Sequence, residues 1–157
     1  MDKFYTVEEV ALMTGLTSRT IRTYIKEGVL RGKKVGVQWR FTEEEVKELF
    51  KDKQVERQVA DAKNQLVVDF LSKRQGKDNR SCMIVDCPVI SETVEVELRD
   101  KLMEFINSYE WGAEFQFSYQ LFEEENTARF IISGALKEIS KVIDIINEFA
   151  ENQLGRE

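Results

Sequence analysis

"TSRTIRTYIKEGVLRGKKVGVQWRF", residues 17–41, carries Arg19, Arg22, Lys26, Arg31, Lys33, Lys34 and Arg40 against one acid, Glu27. The whole 157-residue chain has a formal net charge of −6. Up to Phe41, eight Lys and Arg face four Asp and Glu, a balance of +4; the remainder holds 15 basic and 25 acidic residues, a balance of −10. A split of this kind points to a polyanion as the partner of the N-terminal part alone.

The pattern around the charges gives them a frame. Thr6 followed by Glu9 is a capping box, so a helix starts at Val7; Val7, Val10 and Ala11 form its apolar stripe and it stops near Gly15. Thr17 caps a second helix that runs to Gly28 with Ile21 and Ile25 on its buried side. Ala11, four positions before Gly15, lets the two helices cross closely, and the glycine accepts a positive φ. On the second helix Arg19, Arg22 and Lys26 follow i, i+3, i+7 spacing and share one stripe. "VLRGKKVGVQWRF" then reads as a β-hairpin with a basic tip, since Gly32 and Gly36 flank Lys33 and Lys34 while Val29/Leu30 and Trp39/Phe41 lie outside them. A second capping box, Thr42 and Glu45, opens a third helix with Val46, Leu49 and Phe50 on its apolar side.

A helix-turn-helix followed by a basic hairpin is a winged-helix arrangement. "TIRTYIKEGVL", then Arg40-Phe41-Thr42 and "EEEV", resembles the DNA-binding domain of the MerR superfamily over residues 4–51, and the short wing with Trp39-Arg40-Phe41 is closer to its excisionase-like branch. The resemblance implies that the second helix enters the major groove of double-stranded DNA and that the wing grips the flanking backbone. It assigns base-edge contacts to Ser18, Arg19 and Thr20, phosphate contacts to Arg22 and Tyr24, and wing contacts to Lys33, Lys34 and Arg40. Lys26 joins them through the stripe. The chain departs from metal- and drug-sensing members after residue 51, lacking their ligand cysteines, so no effector is implied.

Downstream, Val55, Val59, Ala62, Leu66 and Phe70 recur at steps of four and three, which fits a linker helix packed on one domain or a seam between two copies. "GKDNR", starting at Gly76, is a polar break between domains. The rest reads as βαββα: a strand "SCMIVDCPVI" ended by Pro88, a helix capped by Ser91 or Thr93 with Val94, Leu98, Leu102, Phe105, Ile106 and Tyr109 inward, alternation at Phe115, Phe117, Tyr119 and Leu121, an acidic turn "EEEN", a strand "TARFIIS", and a last helix with Leu136, Ile139, Val142, Ile143, Ile146 and Phe149 on one side. That order suggests an antiparallel sheet covered on one face by two helices.

Composition excludes several classes. There is no histidine, and Cys82 and Cys87 sit at odd spacing on one strand, facing opposite ways, so a shared metal or disulfide is excluded. Nucleophilic catalysis lacks its usual base, glycine-rich phosphate loops are missing, and no apolar run reaches the about 18 residues of a membrane helix. The opening Met1-Asp2-Lys3 is unlike a secretion signal, which leads to the expectation of a cytoplasmic chain.

The expected fold class is α+β, with a winged helix-turn-helix DNA-binding domain at 1–53, a linker or dimerisation helix at 54–76, and an α+β self-association or regulatory domain at 77–157. The expected function is sequence-specific recognition of double-stranded DNA by a homodimeric transcriptional regulator, without cofactor, metal, catalysis or membrane partner. An excisionase-type DNA-bending recombination factor is the alternative, as is a protein-interaction or ligand-sensing module tethered to DNA. The dimer has two candidate surfaces, the Val55–Phe70 stripe and the face or edge of the C-terminal sheet.

Overall fold

In the computed structural model, which describes residues 3–73 and 77–155, both capping boxes form. Glu9 donates its backbone N–H to Thr6 Oγ1 at 3.1 Å while Thr6 donates to Glu9 Oε2 at 2.7 Å, opening α1 (Val7–Thr14). Val7, Val10, Ala11 and Met13 are buried, and α1 ends at Gly15 with φ +72°. Thr14, fully buried, donates its hydroxyl to the Val10 carbonyl at 2.9 Å and accepts Leu16 N–H at 3.2 Å, which keeps a buried polar group satisfied through the turn. The chain enters α2 (Ser18–Glu27) at Thr17 and leaves it through Gly28 at φ +75°.

Strands β1 (Lys33–Val35) and β2 (Gln38–Arg40) form an antiparallel hairpin with Lys33 opposite Arg40, Lys34 opposite Trp39 and Val35 opposite Gln38. The basic residues therefore lie on a strand. The tip is Gly36-Val37, where Gly36 takes φ +62°, the conformation that the first loop position of a II′ turn requires of glycine, and Val37 is 90% exposed. This corrects the expectation of a basic tip, because the two-residue loop begins only after Val35. Phe41 pairs back with Tyr5 through two backbone bonds of 2.7 and 3.0 Å, then Thr42 caps α3 (Glu43–Lys51). Glu43, Glu44 and Glu45 occupy its first turn, where the helix dipole favours them. Tyr5, Ile21, Tyr24, Leu30, Phe41, Val46 and Leu49 are buried here; Ile25, expected inward, is only half-buried, because Tyr24 takes the inward position.

Helix α4 (Lys53–Ser72) follows. Val55, Val59 and Leu66 are buried, and so is Lys63, which stands in the apolar stripe. Val55, Val59 and Leu66 are thus covered within the single chain, as a linker helix packed on one domain requires. The described residues fall into two compact units divided between Val68 and Asp69, inside α4. Gly76, which opens the expected break, and residues 74 and 75 at the end of the expected linker helix lie outside the described residues.

The second unit runs β3 (Arg80–Pro88), α5 (Glu92–Ser108), β4 (Gln116–Phe122), a 3-10 turn at Glu123–Glu125, β5 (Thr127–Ala135) and α6 (Leu136–Leu154). Ser91 caps α5. The antiparallel sheet has the order β3-β5-β4, so β3 and β4 are its edges. One face presents Cys87, Phe117, Tyr119, Ala128, Phe130 and Ile132, all buried, with α6 packed on β5 and β3 and α5 on α6. Cys82 and Cys87 are free thiols, and burial pushes Cys87 up to about 11. The core of this unit also holds charge: Glu95 and Arg99 pair at 3.4 Å, the Tyr119 hydroxyl donates to Glu95, and buried Glu138 accepts the Gly112 N–H at 2.7 Å.

A Cβ at Gly32 would lie 2.4 Å from the Phe41 ring and 2.9 Å from the Arg40 carbonyl oxygen. Gly32→Ala should therefore cost about 1–3 kcal/mol by overpacking, seen as a lower urea midpoint with unchanged slope. Burial lowers Lys63 from 10.5 to about 8, so between those two pH values the unfolded state binds more protons and stability rises with pH. Lys63→Met should stabilise the chain at pH 7, by about 3 kcal/mol at most, and should flatten that alkaline rise in denaturation curves collected from pH 7 to 10.5.

Candidate nucleic-acid interface

Helix α2 is fixed at both ends and on one side. Thr17 Oγ1 accepts the Thr20 N–H at 3.1 Å, and the Tyr24 carbonyl accepts the Val29 and Leu30 N–H groups at 2.9 and 3.1 Å. Ile21, at 0% exposure, and Tyr24, at 5%, face the core. At about 100° per residue, Arg19, Arg22, Thr23 and Lys26 fall within an arc of about 100° on the opposite side. All four are exposed. Thr23 completes the row and was not among the expected site residues, although its i+4 spacing from Arg19 is visible in the sequence.

Ser18 and Thr20, both half-buried, flank the start of the row. The Thr20 hydroxyl lies 2.9 Å from that of Thr17, so it belongs to the cap as well as to the surface. Arg22 donates to Glu8 of α1 at 3.0 Å, with both side chains about two-thirds exposed (60% and 63%). A surface pair of this kind contributes about 0–1 kcal/mol, so an anion offering better geometry can displace Glu8. Tyr24 is turned away from the row: its hydroxyl donates to Gln58 of α4, and burial, with Asp52 and Glu27 nearby, raises its pKa. The partner Gln58 carried no signal in the sequence, because the contact spans two helices.

The hairpin presents the second basic surface. Lys33 and Arg40 are cross-strand neighbours, and like charges in that position repel unless a counter-charge is supplied. Arg40 is oriented by its own ribbon, donating to the Gln38 amide oxygen at 2.6 Å and to the Trp39 carbonyl at 3.0 Å. Lys33 and Lys34 are exposed; Trp39 and Arg40 are half-buried. Among the described residues Arg19, Lys26, Lys33 and Lys34 form no ion pair.

No group of three or more His, Cys, Asp or Glu among the described residues is placed to hold a metal ion, and no described helix is long and apolar enough to cross a membrane. The second unit has an open cleft of about 410 Å³ at the start of α6, lined by Asp78, Asn79, Ala135, Leu136, Lys137 and Ser140.

Two helices crossing at a Gly15 turn, with the second presenting a basic row, define a helix-turn-helix domain. A family model described as a helix-turn-helix domain matches residues 4–54, from the strand residues before α1 to the first turn of α4. Comparisons with the curated proteins and with the solved structures found no match.

Removing the Tyr24 hydroxyl leaves Gln58 without its donor. Tyr24→Phe should lower unfolding stability by about 0.5–1.5 kcal/mol, measured by urea denaturation, with the helix content of the folded protein unchanged by circular dichroism.

Proposed function

We propose that this chain is a sequence-specific double-stranded-DNA-binding protein, a transcriptional regulator of the MerR superfamily's excisionase-like branch, acting in the cytoplasm as a homodimer. The observation that carries the reading is the exposed Arg19/Arg22/Lys26 row on α2, followed in the same unit by the Lys33–Arg40 like-charge pair of the hairpin. A helix of this length fits the major groove, where Ser18, Arg19 and Thr20 at its start reach base edges. Arg22, exchanging Glu8 for a phosphate, and Lys26 hold the backbone. The hairpin acts as the wing: Lys33, Lys34 and Arg40 meet flanking phosphates, which supply the counter-charge that their mutual repulsion calls for. Tyr24 contributes by holding α2 on α4 and leaves the phosphates to the exposed cations. The C-terminal unit serves self-association or regulation, and no catalytic role is proposed.

An excisionase-type recombination factor is the second reading, favoured by the brevity of the hairpin, three residues to a strand. Occupancy mapping in cells separates the two. Promoter sites favour the regulator; clustered sites at one end of a mobile element favour the recombination factor.

Affinity for DNA should fall steeply with salt, with a log–log slope proportional to the phosphates neutralised. Replacing Lys33 and Lys34 by Ala should weaken operator and random duplex alike and reduce that slope. Arg19→Ala should cost about 1–3 kcal/mol mainly on the operator, measured by fluorescence anisotropy. A wing variant that binds random DNA as well as the parent would refute the wing assignment.

A further inference from the structure

Among the described residues, the outer edge of β3 is the longer of the two strand edges of the second unit's sheet. β3 spans nine residues, is bonded to β5 on one side, and has no strand on the other among the described residues. Exposed edges are normally blunted by charged side chains, above all lysine, by proline or by a bulge; between Ser81 and Cys87 there is no lysine, proline or bulge, and the one charge, Asp86, is drawn into a pair with Arg129 of the neighbouring strand. At the strand's midpoint Ile84 is 56% exposed on the face away from α5 and α6. The other edge, β4, is shorter at seven residues, and the residues it exposes are Gln116 and Gln120.

We propose that β3 is the surface on which two copies of this chain pair, antiparallel and two-fold symmetric about Ile84. The inference rests on the homodimer reading and gives it a location. A two-fold axis at Ile84 sets Ile84 against Ile84 of the second copy, Cys82 against its Asp86, and Arg80 against its Pro88. Pro88, which has no N–H, ends the shared ladder. The charges select this arrangement over a parallel one. Arg80 and Asp86 lie on the same face as Ile84, near opposite ends of the strand, so antiparallel pairing brings Arg80 diagonally beside Asp86 of the second copy. Each already has a partner of its own, Arg80 with Glu114 at 2.9 Å and Asp86 with Arg129 at 2.7 Å. Pairing merges these into a row of alternating sign, whereas parallel strands would set arginine beside arginine. The product is a continuous six-stranded sheet in which the exposed isoleucine is covered by its own copy. A two-fold axis in the C-terminal unit also suits two helix-turn-helix domains reading inverted half-sites.

The test uses the full chain carrying Cys82→Ser, with either Ile84→Cys or Ile90→Cys added. Ile90 is 70% exposed but lies beyond the strand, so it controls for random collision. Opposed residues at an antiparallel two-fold axis lie about 4.5–5.5 Å apart between Cα atoms, within disulfide reach. Under mild oxidation Ile84→Cys should give a covalent species of two-chain mass on non-reducing electrophoresis, and Ile90→Cys should not. In parallel, Ile84→Lys in the unmodified background should shift the light-scattering mass from two chains to one while circular dichroism stays unchanged. A two-chain parent in which Ile84→Cys does not cross-link, or in which Ile84→Lys stays dimeric, overturns the β3 assignment and leaves the homodimer standing. A one-chain parent at tens of micromolar overturns both.

Discussion

Two backbone hydrogen bonds between Tyr5 and Phe41, 2.7 and 3.0 Å long, hold the arrangement on which the DNA-binding reading depends. A two-stranded ribbon with three residues in each strand is marginal by itself in water. Here the residue after β2 is paired to the segment before α1, and the Phe41 ring, with no exposure, fills the space that Gly32 leaves by having no Cβ. Leu30, nearly as deeply buried, continues directly from the end of α2, where the Tyr24 carbonyl accepts its N–H. The basic hairpin and the basic helix face are thus tied to one core through a few contacts at the hairpin's base. Loosening any of them would leave the charges in place but without a common orientation.

Electrostatics then explains how an acidic chain can offer a basic surface. Charges beyond about 8 Å are largely screened at physiological salt, so what a phosphate meets is the local patch. In that patch Arg19, Lys26, Lys33 and Lys34 are exposed and without an ion pair, and Arg22 is held by a single weak surface partner. In the second unit the exposed Asp86 and Arg129 neutralise one another in a bidentate pair of 2.7 and 2.8 Å, and Arg80 is matched by Glu114. Paired cations and a surplus of acid in the second unit, against uncompensated positive charge in the first, would keep the polyanion on the first unit.

Much of this was legible in the sequence because it is local. Capping boxes act over three residues, so Thr6/Glu9 and Thr42/Glu45 announced the starts of α1 and α3, and Gly15 and Gly28 announced where α1 and α2 stop. The stripe on α2 follows from the helical period. What was not legible depends on partners far along the chain. Tyr24 looks like a surface aromatic until Gln58 is brought beside it, and Lys63 looks like a solvated charge until α4 is packed. The hairpin tip was misplaced because two glycines four residues apart both suit a turn, and only the close approach of Phe41 shows that Gly32 serves packing while Gly36 makes the turn. The buried Glu95–Arg99–Tyr119 group had no sequence signal, since charged residues at helical spacing read as an exposed face.

The central claim is that the exposed row of α2 reads base sequence and does so in two copies. Selection of bound duplexes from a random pool by the full chain tests it most directly, with the Arg19→Ala chain run alongside. The account predicts enrichment of an inverted repeat whose half-site centres lie about one helical turn, or a multiple of it, apart, with the base preference at the centre of each half-site relaxed by Arg19→Ala. A pool that shows no enrichment, or an enriched motif that Arg19→Ala leaves unchanged, would contradict it.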